Sequence, residues 1–158
     1  MARFTRTTPV PFVTKTYSKF RLYIRADFEQ CCAYCYFHEF NAHGEKNFQI
    51  DHYRPKDKFP ELICDFHNLY WACAVCNGIK SKSNQWPKPE LLAKGICFVD
   101  LCRDTWEEHY HLHADGVLEG LTLSAKYTIE AIDLNSEYFV KKRASLLKEG
   151  KRLDTEPD

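Results

Sequence analysis

The apolar residues between positions 16 and 30 recur at helical spacing. An α-helix formed by the segment TYSKFRLYIRADFEQ has four of them on one face and most of its basic residues off that face. The four apolar positions are Tyr17, Phe20, Ile24 and Phe28. We therefore expect an amphipathic helix here, preceded by an extended arm rich in Thr and Pro over residues 1 to 13.

The middle of the chain combines short extended patterns with one helix. Residues 47 to 53, NFQIDHY, alternate apolar and polar positions and predict a short strand. Pro55 and Pro60 then predict a loop. The segment NLYWAC, which begins at Asn68, is apolar enough for a second strand or for a buried turn. A helix is expected to begin within the following segment, CNGIKSK.

The last third of the chain predicts a hairpin and two helices. Pro87 and Pro89 mark a connector. Asp115 and Gly116 form an Asp-Gly pair between two alternating segments, which is a strong signal for a β-hairpin. The remaining residues predict two helices with a break near Asn135, each with an apolar face. The predicted fold class is therefore α+β.

The length of 158 residues suits one domain with a hydrophobic core and is too short for two full ones. We divide the chain into an N-terminal arm (1–15), a core (16–86) and a C-terminal extension (87–158). The longest apolar runs are interrupted by charge, so no segment approaches the roughly 20 apolar residues of a membrane span. The N-terminus lacks the apolar run of a secretory signal, which makes the cytoplasm the expected location.

The net charge is zero, but the charges are unevenly distributed. Residues 1 to 26 carry basic side chains and no acid, residues 91 to 140 are mainly acidic, and residues 141 to 152 are mainly basic. A molecule with basic ends and an acidic middle can meet a phosphate backbone on one side only. Ordinary solvated helix faces are the alternative explanation for the C-terminal basic cluster.

The eight cysteines need an explanation other than disulfides in a chain expected in the cytoplasm. Cys32 and Cys35 form one C-x-x-C pair, and Cys73 and Cys76 form a second. Two such pairs are typical of a tetrahedral zinc site, because the short spacer turns both thiolates towards one point about 2.3 Å from the metal. The alternative is two unrelated pairs or a redox motif, but no βαβ pattern surrounds either pair. Cys31 could replace Cys32 as a ligand only through a different spacer.

Metal-binding and proton-transferring groups gather between residues 49 and 82. They are Asp51, His52, Asn68, Cys73, Cys76, Asn77 and Lys80. The spacing of His52, Asn68 and Asn77, with Asn77 directly after the second cysteine pair, resembles the HNH endonuclease family over residues 32 to 82. The resemblance implies a ββα-metal core that holds one divalent ion, with a four-cysteine structural zinc fastening hairpin to helix. The N-terminal helix and the C-terminal hairpin and helices would flank this core.

The matched positions also suit phosphodiester hydrolysis by their own chemistry. A neutral imidazole is available near pH 7, so we expect His52 to be the general base towards water. Asp51 and Asn77 carry the oxygen donors that Mg²⁺ or Mn²⁺ prefers, and two protein ligands leave positions open for phosphate and water. Successive strand residues point to opposite faces, so Asp51 and His52 can share a site only at a strand end or a bulge.

The other polar residues receive supporting roles. By the resemblance, Asn68 orients the loop or the His52 ring through hydrogen bonds. The candidate phosphate contacts are Arg54, Lys56, Lys58 and Lys80. His109, His111 and His113 alternate, which permits a metal site on one strand face, but a solvent-facing strand is the more usual explanation.

Four segments outside and around the motif extend the resemblance. RADFEQCCAYC, DHYRPK, NLYWACAVCN and LTLSAKYTIEAIDLN, together with Arg143, are similar to small standalone HNH proteins of bacterial anti-phage systems, of the Septu and retron-associated type. Cys31 departs from that pattern, since those proteins commonly have a basic residue at this position. The resemblance implies DNA as substrate and regulation by a partner protein such as an ATPase or a sensor. The acidic segment 91 to 140 is the expected docking surface.

Two other functions remain open beside a divalent-metal-dependent DNA endonuclease. A zinc-stapled nucleic-acid-binding or scaffolding module without catalysis would have no need for Asp51, His52 and Asn77 together. An HNH nuclease that acts on RNA would differ in how it treats the 2′-OH group. Cleavage of both strands of a duplex would need two active sites, and hence a homodimer or a larger assembly.

Overall fold

The computed structural model describes residues 4–82 and 85–156. Its helices and strands, in chain order, are α1 (Arg21–Asp27), β1 (Phe48–His52), β2 (Leu69–Cys73), α2 (Ala74–Lys82), α3 (Pro89–Ala93), α4 (Trp106–His109), β3 (Tyr110–Leu112), β4 (Leu118–Gly120), α5 (Leu123–Ile132) and α6 (Glu137–Lys148). This mixture of helices with small antiparallel sheets confirms the predicted α+β class. Arg3, in the predicted basic N-terminal segment, lies outside the described residues.

β1 and β2 form an antiparallel pair that leads directly into α2. The register runs from Phe48 opposite Cys73 to His52 opposite Leu69, one residue against one throughout. The segment NLYWAC therefore contains a strand rather than a buried turn. All five residues of β2 are buried, which means that the rest of the domain covers both of its faces. Because α2 begins at the residue after β2, no linker separates hairpin from helix.

The predicted amphipathic helix is present as a 3-10 turn at Tyr17–Phe20 that continues into α1. Its apolar stripe is buried except at Tyr17, which is half-buried. The helix is shorter than predicted, because Glu29 and Gln30 adopt positive φ angles of 51° and 62° and turn the chain into the first cysteine pair.

The N-terminal arm has no regular secondary structure over its described residues, yet it is packed onto the domain. Phe4 is buried against the rings of Phe28 and Tyr36. Arg6 donates hydrogen bonds to the Asp27 carboxylate at 3.2 Å and to the Phe66 carbonyl oxygen at 2.7 Å. The arm thus joins α1 to the segment before β2.

The C-terminal hairpin and helices agree with the sequence prediction. Gly116 of the Asp-Gly pair has a φ of +89°, and a Cβ atom there would lie 2.2 Å from the carbonyl oxygen of Val140 in α6. Arg143 of α6 is buried and donates to the carbonyl oxygens of Gly116 and Leu134, at 2.7 and 2.6 Å. These contacts fasten the hairpin to the last helix.

Two short helices, α3 and α4, were not predicted. α3 begins at Pro89, whose restricted φ suits a first helical turn. α4 follows Thr105, which forms a capping box with Glu108. Each is too short for an apolar periodicity to emerge from the sequence. Across residues 4–82 and 85–156, no helix combines the length and apolar character needed to cross a membrane.

Candidate active site and metal centre

The sulfur atoms of Cys32, Cys35, Cys73 and Cys76 all lie within 4.8 Å of one another. All four residues are buried, and the Sγ atoms of Cys35 and Cys73 are 3.8 Å apart. Sulfurs at the corners of a tetrahedron with zinc–sulfur bonds of about 2.3 Å are separated by about 3.8 Å. The cluster therefore has the donor type, number and spacing of a structural zinc site, as the cysteine spacing predicted.

The backbone brings the two cysteine pairs together. The turn that carries the first pair is tied to β2 by a hydrogen bond from the Ala33 N–H to the Trp71 carbonyl oxygen, at 2.8 Å. The second pair spans the junction of β2 and α2, so that Cys73 ends the strand and Cys76 lies in the first helical turn. A metal bound here would join the N-terminal part of the domain to the hairpin and to α2.

Two backbone N–H groups lie against the sulfur atoms of the cluster, whose residues are all buried. The N–H groups of Tyr34 and Cys76 donate to the Sγ atoms of Cys32 and Cys73, at 3.5 and 3.4 Å. Burial raises the pKa of Cys35 and of Cys76, because a buried thiolate loses its hydration. The charge of a zinc ion at the centre would reverse this effect, so the donor set fits that metal.

The other cysteines and histidines singled out in the sequence do not join this cluster. Cys31 lies outside it, with its Sγ atom near two backbone carbonyl oxygens. Within the part of the chain that the structure describes, the four-cysteine group is the one set of three or more Cys, His, Asp or Glu side chains arranged to hold a metal. His109 ends α4 and contacts Thr122, whereas His111 and His113 are exposed. The solvent-facing alternative is therefore confirmed for His111 and His113.

A cavity of about 590 Å³ opens beside the hairpin, where β1, the loop after it and α2 meet. Its polar walls include Arg21, Asp51, His52, Lys56, Asn77 and Lys80. Its aromatic walls are formed by Tyr17, Trp86 and Phe98. Asp51 and His52, the last two residues of β1, contact different neighbours, but the cavity reaches both. Both residues thus line one cavity at the end of the strand, where the one-to-one register with β2 includes no bulge.

The imidazole ring of His52 is held by two contacts. Its Nε2 atom lies 3.0 Å from the carbonyl oxygen of Ile63, and its ring packs edge-on against Tyr17 with the centroids 4.7 Å apart. A carbonyl oxygen only accepts hydrogen bonds, so we assign the proton to Nε2 and the lone pair to Nδ1. Burial lowers the pKa of His52, which favours the neutral ring near pH 7. The ring therefore offers Nδ1 as a proton acceptor.

The carboxylate of Asp51 belongs to a buried polar network. It accepts a hydrogen bond from the hydroxyl group of Tyr34 and lies 3.1 Å from the ammonium nitrogen of Lys80. That nitrogen also donates to the carbonyl oxygens of His52 and Tyr53, at 2.9 and 3.1 Å. Lys80, expected from the sequence to contact phosphate, is only 6% exposed and is directed at internal acceptors. The side chain of Lys80 is turned inward, contrary to the expected phosphate contact, because α2 packs against the end of β1.

Asn68 fastens the loop that follows β1. Its Oδ1 atom accepts from the N–H of Arg54 at 2.9 Å, and its Nδ2 atom donates to the carbonyl oxygens of Arg54 and Leu62, at 3.1 and 3.4 Å. Its own carbonyl oxygen accepts from the N–H of Tyr53 at 2.9 Å. Asn68 therefore orients the loop that presents Ile63 to His52.

Asn77 lies in the first half of α2 and lines the cavity. Its Nδ2 atom donates to Gln49 Oε1 at 2.5 Å, and its Oδ1 atom accepts a longer bond of 3.4 Å from Ser81. The remaining candidate phosphate contacts all belong to the loop after β1. Lys56 lines the cavity, whereas Arg54 and Lys58 are exposed elsewhere on that loop.

Asp51 and Asn77 both line the cavity, and their side chains carry a carboxylate and an amide oxygen, which are donors that Mg²⁺ and Mn²⁺ prefer. A carboxylate has about four lone-pair positions, so the bonds from Tyr34 and Lys80 leave acceptor capacity. The Lys80 ammonium group offsets part of the charge of Asp51 and so lowers its attraction for a second cation. The donor chemistry fits a divalent ion whose other positions are filled by water and phosphate.

Three parts of the site were missed by sequence reasoning. Tyr34 occupies a spacer position of the first C-x-x-C pair, where no pattern assigns a role. The helical spacing places Tyr17 only on the apolar stripe of the first helix. The carbonyl oxygen of Ile63 has no signature in a sequence, because every residue carries such an oxygen. Only the tertiary fold brings these groups to Asp51 and His52.

A known protein resembles part of this chain. The chain is 28% identical over 105 residues to the Septu protein PtuB of Bacillus thuringiensis. The match covers 66% of this chain and 36% of that protein, so the chain spans about a third of the length of this relative. No protein-family model matches the chain. The similarity agrees with the Septu-type resemblance of the sequence motifs, and membership of the HNH family stays a prediction.

Proposed function

We propose that this protein is a divalent-metal-dependent endonuclease that hydrolyses phosphodiester bonds of DNA. The observation that carries the proposal is the convergence of Asp51, His52 and Asn77 on one cavity beside a hairpin and helix joined by four cysteines. This arrangement agrees with the ββα-metal core expected from the HNH resemblance. We further propose that the protein is the nuclease effector of a bacterial anti-phage defence system, a role supported by the similarity to PtuB.

In the proposed reaction His52 is the general base. Because Nε2–H is donated to Ile63, the Nδ1 lone pair is the atom that takes the proton from the attacking water. The lowered pKa keeps the ring neutral and able to accept a proton near pH 7. Ile63 and Tyr17 hold the ring in place, so the base does not need to reorient during the reaction.

Asp51 and Asn77 would hold Mg²⁺ or Mn²⁺ through their side-chain oxygens. When bound, such an ion supplies positive charge to the phosphate and to the leaving oxygen. Lys56, exposed on the cavity wall, would neutralise a phosphate of the substrate. Lys80 would act on Asp51 and not on the substrate, because its ammonium group already faces three internal acceptors.

Plasmid cleavage by zinc-loaded protein tests the nuclease. Wild-type protein, His52→Ala and His67→Ala are incubated with supercoiled plasmid and Mg²⁺ or Mn²⁺. His67 is the matched control, since it is an exposed histidine in the segment between β1 and β2. We expect cleavage by wild type and His67→Ala, and a loss of at least about a hundredfold in His52→Ala with unchanged zinc content and DNA affinity. Retained cleavage by His52→Ala would reject the assigned base.

The same assay separates the competing functions. DNA binding without cleavage in either metal, by folded and zinc-loaded protein, would favour the non-catalytic zinc module. Faster cleavage of an RNA of the same sequence would favour RNA as the substrate. The metal control is a buffer without Mg²⁺ or Mn²⁺, because a strong chelator would also remove zinc.

Infection experiments test the defence role. The protein is expressed together with the products of neighbouring genes, since regulation by an ATPase or a sensor docked on the acidic segment 91 to 140 belongs to this proposal. We expect reduced phage plating that His52→Ala abolishes. Equal plating with wild type and His52→Ala would separate any defence from the nuclease. Mass measurement in solution then tests the homodimer that cleavage of both strands implies.

A further inference from the structure

We infer that Tyr34 is a positioning residue for the Asp51 carboxylate, and that through it the four-cysteine site becomes part of the catalytic apparatus. The inference rests on the proposed nuclease function. It assigns a role to a residue that neither the HNH motif nor the phosphate-binding candidates include.

Tyr34 contacts both sites at once. It lies between Cys32 and Cys35, and its backbone N–H donates to the Sγ atom of Cys32 at 3.5 Å. Its hydroxyl group donates a hydrogen bond to Asp51 Oδ2. The side chain is 2% exposed, so the path from the metal-binding turn to the carboxylate runs through the interior. Any movement of the cysteine turn would therefore move the donor to Asp51.

Asp51 receives its two side-chain donors from different elements. Tyr34 approaches from the first cysteine turn, and Lys80 approaches from α2 with its ammonium nitrogen 3.1 Å from Oδ2. The same nitrogen lies 5.7 Å from the centre of the Tyr34 ring and 5.4 Å from that of Phe98, which suits cation–π contacts. These groups hold the carboxylate in one orientation. Asp51 is only 3% exposed, so water does not readily replace a lost donor.

Carboxylates that bind metals depend on such supporting hydrogen bonds. Removal of an outer partner of a metal ligand typically weakens metal affinity or activity by about 10- to 100-fold. The substitution Tyr34→Phe removes the hydroxyl group and keeps the ring that packs against Phe98. We therefore expect Mn²⁺ affinity to fall by about tenfold or more. We also expect kcat to fall while KM for DNA is unchanged, because Tyr34 does not line the cavity.

Tyr70→Phe is the matched control. The hydroxyl group of Tyr70 donates to a carboxylate oxygen of Asp100 at 2.8 Å, and Tyr70 is 5% exposed. The two substitutions therefore delete the same atom from a buried tyrosine that donates to an aspartate, although Asp100 itself is half-buried and Asp51 is buried. Only Tyr34 bonds to the carboxylate proposed to hold the metal, so a general loss of stability would affect both variants alike.

The test is Mn²⁺ binding to zinc-loaded protein, measured from the electron paramagnetic resonance signal of free Mn²⁺. Wild type, Tyr34→Phe, Tyr70→Phe and Asp51→Asn are compared, with zinc content and thermal unfolding measured on each. The expected order is tight binding by wild type and Tyr70→Phe, weaker binding by Tyr34→Phe, and loss of the site in Asp51→Asn. Tyr34→Phe should retain the zinc content of wild type.

Three outcomes would overturn the inference. Equal Mn²⁺ affinity of Tyr34→Phe and wild type, with the site lost in Asp51→Asn, would reject it and leave the proposed function intact. Loss of zinc from Tyr34→Phe would show that the hydroxyl group serves the cysteine site instead. Equal Mn²⁺ binding by wild type and Asp51→Asn would reject the proposed metal site itself, and the inference with it.

Discussion

The Nε2 atom of His52 lies 3.0 Å from the carbonyl oxygen of Ile63, in a loop that Asn68 fastens by its side chain. This bond determines which nitrogen of the ring accepts a proton. Asp51, the preceding residue, is oriented from the other side by Tyr34 and Lys80. Two adjacent residues of one strand are thus oriented by different parts of the domain. The contacts that orient His52 and those that orient Asp51 can be tested by separate substitutions.

Asn68→Ala should loosen the loop that holds His52. It removes one acceptor and two donor contacts, leaving the polar backbone groups of Arg54 and Leu62 without their partner. We expect a loss of about 1–3 kcal/mol in the free energy of unfolding, together with reduced cleavage. Urea unfolding and plasmid cleavage measure the two effects.

Asn47→Ala is the control for the loop, because it removes a single bond, to the Ala42 carbonyl oxygen, before β1 begins. It should lower stability by about 1 kcal/mol at most and leave cleavage unchanged. If Asn68→Ala cleaves DNA as fast as Asn47→Ala does, the loop does not orient the base.

Lys80→Met should be strongly destabilising. It leaves the buried Asp51 carboxylate without its counter-charge, which typically costs about 3–5 kcal/mol. Adding Asp51→Asn to Lys80→Met should restore part of this loss, because the remaining group is neutral. A double-mutant cycle based on chemical unfolding measures the coupling. Independent, additive effects of the two substitutions would contradict the network.

Lys56→Ala should weaken DNA binding without affecting folding. Lys56 is exposed and lines the cavity, so in the proposed complex with DNA its loss would remove one phosphate contact. Each such contact contributes about 0.9 to the slope of log K against log salt concentration. Binding titrations at several salt concentrations should show a slope reduced by about that amount. Lys126→Ala, an exposed lysine on α5, should leave the slope as in wild type.

Cys76→Ser and Cys31→Ser should differ in metal content. Both cysteines are buried, but only Cys76 belongs to the four-sulfur cluster. We expect one zinc ion per chain in wild type and Cys31→Ser, and loss of zinc with partial unfolding in Cys76→Ser. Elemental analysis and circular dichroism make the comparison. If Cys76→Ser retained zinc and Cys31→Ser lost it, the assignment of Cys76 rather than Cys31 to the metal site would be wrong.

Gly116→Ala and Gly150→Ala separate packing from backbone strain. Both glycines have positive φ, at +89° and +68°, so both substitutions carry a similar backbone cost of about 1 kcal/mol. Of these two glycines, only Gly116 has backbone where a Cβ atom would lie, 2.2 Å from the Val140 carbonyl oxygen. Thermal unfolding should therefore show a distinctly larger loss for Gly116→Ala. Equal losses would mean that the hairpin can move away from α6.

Local patterns in the sequence predicted several of the helices and strands and the four-cysteine cluster. The helical spacing before Asp27, the alternation before His52 and the Asp-Gly pair at 115–116 each act over a few residues, and the structure confirms the helix, the strand and the hairpin. The C-x-x-C spacing predicted the four-cysteine cluster for the same reason, because a two-residue spacer limits the directions in which two sulfur atoms can point. It also separated Cys32 from Cys31, which lies outside the cluster.

The tertiary structure alone decided how the site is assembled. NLYWAC became a strand because β1 was available to pair with it. Lys80 became the partner of Asp51, 29 residues earlier, because α2 packs against the end of β1. Tyr34 reached the same carboxylate because the first cysteine turn is bonded to β2. Such contacts join residues that are distant along the chain, and the direction of a side chain depends on the packing of whole elements rather than on its sequence neighbours.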